Sequence, residues 1–289
     1  MTMPLGLHAG IDDARYHADD AVSRSRLLDL ARSPAHCLYY RSNPKDDTDA
    51  LRFGRLLHMA ILVPREFTSA YCAGPDIDRR TGDGKRAWEL AENAAHAQKR
   101  SLVRASEWEA IEGITAAVKR SRAASQILYG SQGQSEMTCV WLDQELGLRC
   151  KARIDRVITG TAHGTLLLDL KSCQDSSPRE VAKEIVFRKH HVQGAWYMAG
   201  YQAVTGGGAG AFAFLSYEKK PPYTCSLCVL TPTALATGAR ESRELLRLYA
   251  QCIKSGIWPD HSDQVYTVDL PGWYVPWSNA TTIAMEVLQ

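Results

Sequence analysis

The hydrophobic pattern of the sequence changes its period near residue 130, and this change limits the folds open to the chain. Before it, apolar residues recur at the three- to four-residue spacing of amphipathic helices. After it, segments 135–142, 147–157 and 165–171 have the short apolar or alternating runs of β-strands and are joined by turns, which predicts a meander. Helical stretches at 179–188 and 191–205, strands at 211–217 and 223–230, and a helix at 232–254 are predicted to follow.

The first 130 residues are predicted to be mainly helical. Ser23 or Ser25 can cap a helix that ends near Pro34, because the residue before a proline is pushed out of the helical conformation. Ser106 and Glu109 have the spacing of a capping box, in which each residue satisfies a free backbone N–H of the other's turn. Longer helices are predicted at 49–62, 84–99 and 106–128.

Length and composition fit one soluble globular domain. A chain of 289 residues with 45% hydrophobic and 23% charged residues can bury a large core. We predict a single α/β domain over 1–289, with a mainly helical part at 1–130, a core at 131–255 and a C-terminal tail at 256–289. The tail is rich in aromatic residues but has no clear period.

The charge balance and the cysteine content limit the kinds of partner and the cellular compartment that we expect. Lys and Arg total 34 against 32 for Asp and Glu, so nucleic-acid binding would need a local basic patch rather than a high net charge. No apolar segment has the form of a secretion signal or the length of a membrane helix, so we expect a cytosolic protein with no membrane association. The eight cysteines are scattered along the chain, and in a reducing compartment they should be thiols.

Two carboxylates and a lysine lie on neighbouring predicted strands. Asp169 and Lys171 follow the apolar run 166–168, and the period of two points both side chains to the same face. Asp155 belongs to the polar face of the preceding strand. Mg²⁺ prefers oxygen ligands and usually takes one or two carboxylates, with water and substrate phosphate completing its shell. The pattern predicts a metal site beside a cation, although the tripeptide alone is common on strand surfaces.

Further motifs follow one another in a fixed order along nearly the whole chain. They are 16–20, 23–27, 33–36, 53–55 with His58, 79–80 with 84–85, 151–153 with Asp155, 169–171, His191, Gln193, Tyr197, 218–223 and 258–259. In these motifs the chain resembles the RecE-type exonucleases, the exodeoxyribonuclease VIII group of phage and prophage recombination enzymes. That group belongs to the RecB-like PD-(D/E)XK nucleases. The resemblance implies a restriction-endonuclease-like α/β core, with a central mixed sheet flanked by helices and an N-terminal helical portion.

The resemblance also implies roles for individual residues. His58, in an FGxxxH pattern, and the backbone carbonyl of Leu170 would join Asp155 and Asp169 as metal ligands. Lys171 would orient or deprotonate the attacking water, or stabilise the charge of the transition state. Without the resemblance, a histidine on an apolar helix face is more often a core residue than a ligand.

Three polar residues outside the central group are weaker candidates. Gln193 and Tyr197 are four residues apart and share a helix face. The resemblance to a QxxxY motif makes them candidates for positioning DNA or the catalytic lysine, and an ordinary amphipathic surface is the alternative. Glu136, at the start of the first strand of the meander, is a possible further acid near the site. A solvated strand end is the favoured interpretation of Glu136.

A basic cluster and a cysteine pair complete the candidates. Arg79, Arg80 and Lys85 suit contacts with DNA phosphates, although a solvated loop is an equal alternative. Their spacing does not match the phosphate-binding loop of ATPases. Cys225 and Cys228 form a CxxC pair inside a predicted strand, where they would face opposite sides. Packed thiols are therefore favoured over an iron–sulfur cluster.

The function predicted from the resemblance is Mg²⁺-dependent exonucleolytic degradation of double-stranded DNA ends, with Mn²⁺ able to replace Mg²⁺. A 5′ to 3′ polarity, 3′ single strands for recombination, a single-strand annealing partner and a ring-like homo-oligomer are implied in the same way. One alternative is a RecB- or Cas4-like nuclease acting on single strands. Another is an inactive DNA-end-binding protein, against which the presence of Asp155, Asp169 and Lys171 argues.

Overall fold

The N-terminal part of the chain is mainly helical, as predicted. The structure is a computed structural model that describes residues 2–43, 46–161, 164–262 and 265–270. Its first elements are β1 (Gly6–His8), α1 (Asp13–Ala18), α2 (Arg24–Arg32), α3 (Pro34–Ser42), α4 (Asp49–Leu62), α5 (Pro64–Ala70), β2 (Tyr71–Ala73), α6 (Gly82–Ala97), β3 (Ser101–Val103), α7 (Ala105–Arg120) and α8 (Arg122–Tyr129). The aromatic residues of the predicted tail beyond residue 270 lie outside the described residues.

Local capping explains where the helix limits differ from the predictions. The predicted helix over 106–128 is divided at Ser121, whose hydroxyl accepts a hydrogen bond from the N–H of Ala124 and so begins a second helix. The capping box predicted at Ser106 is wrong, because α7 begins one residue earlier and has no side-chain cap. The helix predicted over 49–62 has the observed limits of α4.

The second part of the chain contains most of the sheet and three long helices. None of the described helices is long and apolar enough to cross a membrane. The elements are β4 (Gly133–Asp143), β5 (Leu148–Thr161), β6 (Gly164–Cys173), α9 (Pro178–Phe187), α10 (His190–Thr205), β7 (Ala211–Glu218), β8 (Cys225–Val229) and α11 (Pro232–Ser255).

The central sheet is mixed, as predicted. Its strand order is β1-β4-β5-β6-β7-β8, and a separate two-stranded sheet pairs β2 with β3. Strands β4, β5 and β6 form the predicted antiparallel meander. Strands β6 and β7 are parallel, because α9 and α10 carry the chain back across the sheet between them. This connection brings the first turn of α10 to Asp169 of β6.

Helices cover both faces of the sheet. On one face, Leu57 of α4 and Ile114 of α7 pack in a core with Leu168 and Leu215. On the other, helices α2, α3, α10 and α11 pack against β4, β5 and β7 around residues such as Trp196. Strand β6 is buried on both sides, which explains why its sequence is a continuous apolar run before Asp169. A carboxylate at this position is therefore carried into the interior.

Candidate metal centre

Asp155 and Asp169 lie opposite each other where two strands separate. The pairing of β5 with β6 includes Arg156 with Leu168, and the next positions in the same register are Asp155 and Asp169. At this point the Oδ2 atom of Asp155 accepts a hydrogen bond of 2.7 Å from the backbone N–H of Leu170. The side chain thus takes the place of a strand partner. This contact holds the Asp155 carboxylate beside β6.

Asp169 is buried and held from two sides. It is 2% exposed, and its Oδ1 atom accepts a hydrogen bond of 2.6 Å from the side-chain amide of Gln193 on α10. Its Oδ2 atom forms an ion pair with Lys171. The Lys171 side chain keeps a quarter of its surface exposed. The ammonium group is therefore reachable from solvent while its carboxylate partner is not.

His58 approaches the same carboxylates from the helical side. Leu57 and Ile61 of α4 are fully buried in the core, and His58 lies at the edge of that buried face with a side chain about 26% exposed. Its Nδ1 atom is 3.5 Å from the Oδ2 atom of Asp155. The structure thus brings His58 to the centre, in contact with the first acid rather than packed inside the core.

Glu136 also belongs to this group, so its interpretation as a solvated strand end is wrong. The pairs on either side of it, Ser135 with Arg156 and Met137 with Ile154, keep one register and place Glu136 opposite Asp155. Glu136 itself has a φ of 53°, which L-residues rarely adopt and which costs about 1–3 kcal/mol. His58, Glu136 and Asp155 each offer a ligand atom, and these atoms lie within 4.8 Å of one another.

The charges of this group are poorly balanced. Burial, and then the negative charge of Asp155, raise the pKa of Glu136 from 4.5 to about 8, although Arg153 opposes the shift. Burial and Asp155 also raise the pKa of Asp169, opposed by Lys171 and His58. The carboxylates thus repel one another in a low-dielectric setting. A bound divalent cation would remove this repulsion.

The donor set fits a hard divalent cation. His58, Glu136 and Asp155 supply two carboxylate oxygens and one imidazole nitrogen, a combination suited to Mg²⁺ or Mn²⁺. The carboxylate oxygens of Asp169 contact Gln193 and Lys171, and its role as a ligand stays a prediction. Among the described residues, His58, Glu136 and Asp155 are the one group of three such side chains that could hold a metal ion. The N–H of Leu170 binds Asp155, and a role for its carbonyl as a ligand stays a prediction.

Gln193 and Tyr197 lie beside the centre on one side of α10. Gln193 is 3% exposed and contacts Asp169 rather than Lys171, so it fixes a carboxylate. The ring of Tyr197, one turn further along, packs edge-on against Phe212 at 6.1 Å. Burial, and then the charge of Asp169, hold the pKa of the Tyr197 phenol well above its usual value. Tyr197 is therefore a neutral hydroxyl near the site.

The predicted basic residues line a different surface. A groove of about 520 Å³ lies along α6. Its lining consists of Arg79, Arg80, Lys85, Trp88, Glu89, Glu92 and Arg104. The Arg79 guanidinium lies over the Trp88 ring at 4.2 Å, whereas the Arg80 guanidinium is bound to Asp78 in an exposed loop. The three predicted residues are brought together, but the groove contains two acids and is separate from the carboxylates of the centre.

Sequence reasoning missed Arg24. It is the first residue of α2, and burial lowers the pKa of its guanidinium, opposed by the nearby Tyr197 and Asp169. The sequence offers the capping pattern around Ser23 and the motif at 23–27 here, and no spacing links α2 to β6. All eight cysteines are free thiols, as predicted.

A family model and one solved structure agree with this architecture. A candidate exonuclease from Eubacterium rectale is 14% identical, has a TM-score of 0.59, and covers 91% of this chain and 96% of its own. An alkaline exonuclease from Laribacter hongkongensis is 15% identical over 82% of this chain and 92% of its own, with a TM-score of only 0.29. No curated protein sequence matches the chain. The model of the PDDEXK-like domain of unknown function (DUF3799) matches residues 23–271, and the chain belongs to this family.

Proposed function

We propose that the protein is a divalent-metal-dependent exodeoxyribonuclease that degrades linear double-stranded DNA. The observation that carries the proposal is the meeting of Asp155, Asp169 and Lys171 at the end of the β5–β6 pairing, with His58 and Glu136 beside them. Family membership and fold support a nuclease. We propose Mg²⁺ as the cofactor, with Mn²⁺ able to replace it.

Each residue of the centre has a chemical task in this proposal. Asp155, Asp169, His58 and Glu136 would hold the cation, which when bound would act as a Lewis acid on the phosphate and lower the pKa of a water molecule. Lys171, ion-paired with Asp169 and partly exposed, would face the scissile phosphate and stabilise its developing negative charge. Gln193 would keep Asp169 in one rotamer through its hydrogen bond.

The finer features of the reaction are proposed from the resemblance to RecE-type exonucleases. They are attack at double-stranded ends, 5′ to 3′ polarity, and the production of 3′ single strands for recombination. A single-strand annealing protein as partner and a ring-like homo-oligomer belong to the same proposal. The solved structure from Eubacterium rectale, which shares the fold, is described as a candidate exonuclease and agrees with action at ends.

One degradation assay tests the substrate and the polarity. Linear duplex, closed circular duplex and single-stranded DNA, each labelled at the 5′ or the 3′ end where an end exists, are incubated with Mg²⁺ or EDTA. We expect rapid loss of the 5′ label from linear duplex in Mg²⁺, intact circles, and no reaction in EDTA. Preference for single strands would favour the RecB- or Cas4-like alternative. Cutting of the closed circle would contradict an exonuclease.

The oligomer has its own test. Size-exclusion chromatography with light scattering should give a mass several times that of the 32.0 kDa chain. A monomer at working concentration would argue against the ring without affecting the proposed chemistry.

A further inference from the structure

Arg24 of α2 reaches the region between α9 and α10, where it has no carboxylate partner among the described residues. Helix α9 ends at Phe187 and α10 begins at His190, and Arg24 reaches this region through a hydrogen bond of 2.6 Å from its Nη2 atom to the backbone oxygen of Arg188. We call Arg24, Phe187, Arg188 and His190 the α9–α10 junction. The junction lies next to the centre, because α10 also carries Gln193, which is bonded to Asp169.

The positive charges of the junction are neutralised unequally. Arg188 is ion-paired with Glu184, and the following residue, Lys189, with Glu241 at 2.8 Å. Arg24 has no carboxylate within ion-pairing distance among the described residues, and its Nε–H is buried without an acceptor. A half-buried guanidinium with no counter-ion is costly, and phosphate is the anion whose geometry matches its donors.

A second buried polar group lies beside Arg24. His190 is only 7% exposed, its ring packs against Phe214 at 5.3 Å, and its Nδ1 atom has no partner among the described residues. Burial, followed by the charges of Lys171, Arg24 and Arg188, holds the pKa of His190 far below its usual value. His190 is thus neutral. Its surroundings are positive because Lys171, Arg24 and Arg188 lie near it.

With a divalent cation bound at the centre, positive charge would remain nearby for contacts with phosphates. Asp155, Asp169 and Glu136 together would balance one divalent cation and the Lys171 ammonium, so that the positive charge of Arg24 stays without a counter-ion. Lys171 faces the scissile position in the proposed mechanism. Arg24 is left for another phosphate of the same strand, since it is bonded to the backbone of Arg188 whereas His58 of α4 contacts Asp155.

The same junction exposes an aromatic ring. Phe187 is 81% exposed and its neighbour Val186 is 66% exposed, although both belong to the last turn of α9, whose residue Val181 is buried. A strand of unpaired DNA is bound by cations that follow its phosphates and by aromatic rings that stack on its bases. An exposed phenylalanine one residue before Arg188, whose backbone holds Arg24, supplies that combination.

We propose that the α9–α10 junction binds the DNA strand beside the scissile phosphate, with Arg24 pairing with a neighbouring phosphate and Phe187 stacking on an unpaired base. The proposal rests on the nuclease function proposed above and specifies how its substrate is held. It also requires that bases at the end of the duplex be unpaired when they reach the site.

The test measures DNA binding in EDTA, so that no strand is cut. A duplex with a short single-stranded overhang carries 2-aminopurine in the overhang, and affinity is followed by anisotropy between about 50 and 200 mM salt. Arg24→Gln should weaken binding about tenfold and make the salt slope shallower by about 0.7, the value for one single-strand phosphate contact. Phe187→Ala should weaken binding about tenfold and reduce the quenching of 2-aminopurine.

Matched variants control for general surface effects. Arg247→Gln removes an arginine that is already paired with Glu145, and Ile257→Ala removes another exposed apolar side chain, 67% exposed. Both should bind like wild type. Where Arg24→Gln does not fold, Arg24→Lys replaces it, and we expect the salt slope of wild type with weaker binding.

Two results would overturn the proposal. One is wild-type affinity, salt slope and quenching in the folded Arg24 and Phe187 variants. The other is unchanged DNA binding in Phe187→Ala with a lower particle mass in light scattering, which would make Phe187 part of an interface between copies. In either case the nuclease proposal is judged separately, because loss of cleavage in Asp169→Ala depends on the centre and not on the junction.

Discussion

Replacing Glu136 with glutamine should make the metal-free protein more stable at neutral pH. The pKa of Glu136 is raised from 4.5 to about 8 in the folded state, so the unfolded chain releases this proton at a lower pH than the folded protein does. The folded state therefore binds more protons between these two values, and the free energy of unfolding falls as the pH rises. Between pH 4.5 and pH 7 this difference in pKa lowers the free energy of unfolding by about 3 kcal/mol. Because Glu136 keeps some solvent contact, we expect about 1–3 kcal/mol.

Urea unfolding in EDTA at several pH values measures this effect as a difference between variants. The comparison with wild type is needed because His190, whose folded pKa is far below 6.5, gives stability that increases with pH over part of the same range. Lys151 contributes no slope there, because its folded pKa of about 8 lies above the range. Glu109→Gln, on the exposed surface of α7, is the matched control.

The position of Glu136 in the centre also predicts how metal affects stability. Excess Mg²⁺ should stabilise the wild-type protein more at pH 8 than at pH 5, because binding requires the carboxylates to be ionised. In Glu136→Gln this stabilisation should be smaller. Equal pH dependence of wild type and Glu136→Gln in EDTA would refute the placement of Glu136 in the centre.

Further predictions concern individual contacts of the centre and the core. Lys171→Gln should lower kcat by about 10²–10³ while leaving metal affinity, measured by calorimetry, near that of wild type. His58→Ala should weaken Mn²⁺ binding in calorimetry by about tenfold or more. Lys151 is 4% exposed and donates to the carbonyls of Tyr16 and Asp19, at 2.5 and 2.6 Å. Lys151→Met should therefore lower the free energy of unfolding in urea by about 2–4 kcal/mol, since a buried and a half-buried carbonyl lose their donor.

Features with a local cause could be predicted from the sequence. The helix over 49–62 and the meander that ends in Asp169 and Lys171 are set by the spacing of apolar residues and by nearby caps, and both occur in the structure. The apolar run 166–168 of β6 predicted a core strand that carries Asp169 directly after its buried residues. These features need only the period of each element.

Features that depend on distant parts of the chain could not be predicted in this way. Glu136 enters the centre through a left-handed backbone conformation, and the sequence has no glycine at this position to indicate it. Arg24 meets Arg188 across 164 residues, and Gln193 meets Asp169 only because α9 and α10 return the chain to the end of β6. Such contacts follow from topology and not from local spacing.

The central claim is that Asp169 helps to hold a divalent cation that is required for DNA cleavage. The most direct test is the initial rate of linear-duplex degradation by wild type and by Asp169→Ala, in Mg²⁺ and in EDTA, together with Mn²⁺ binding by calorimetry. We predict that Asp169→Ala is folded, binds Mn²⁺ at least tenfold more weakly and degrades DNA at least about 10³-fold more slowly. An Asp169→Ala protein that binds metal and degrades DNA as wild type does would contradict the claim.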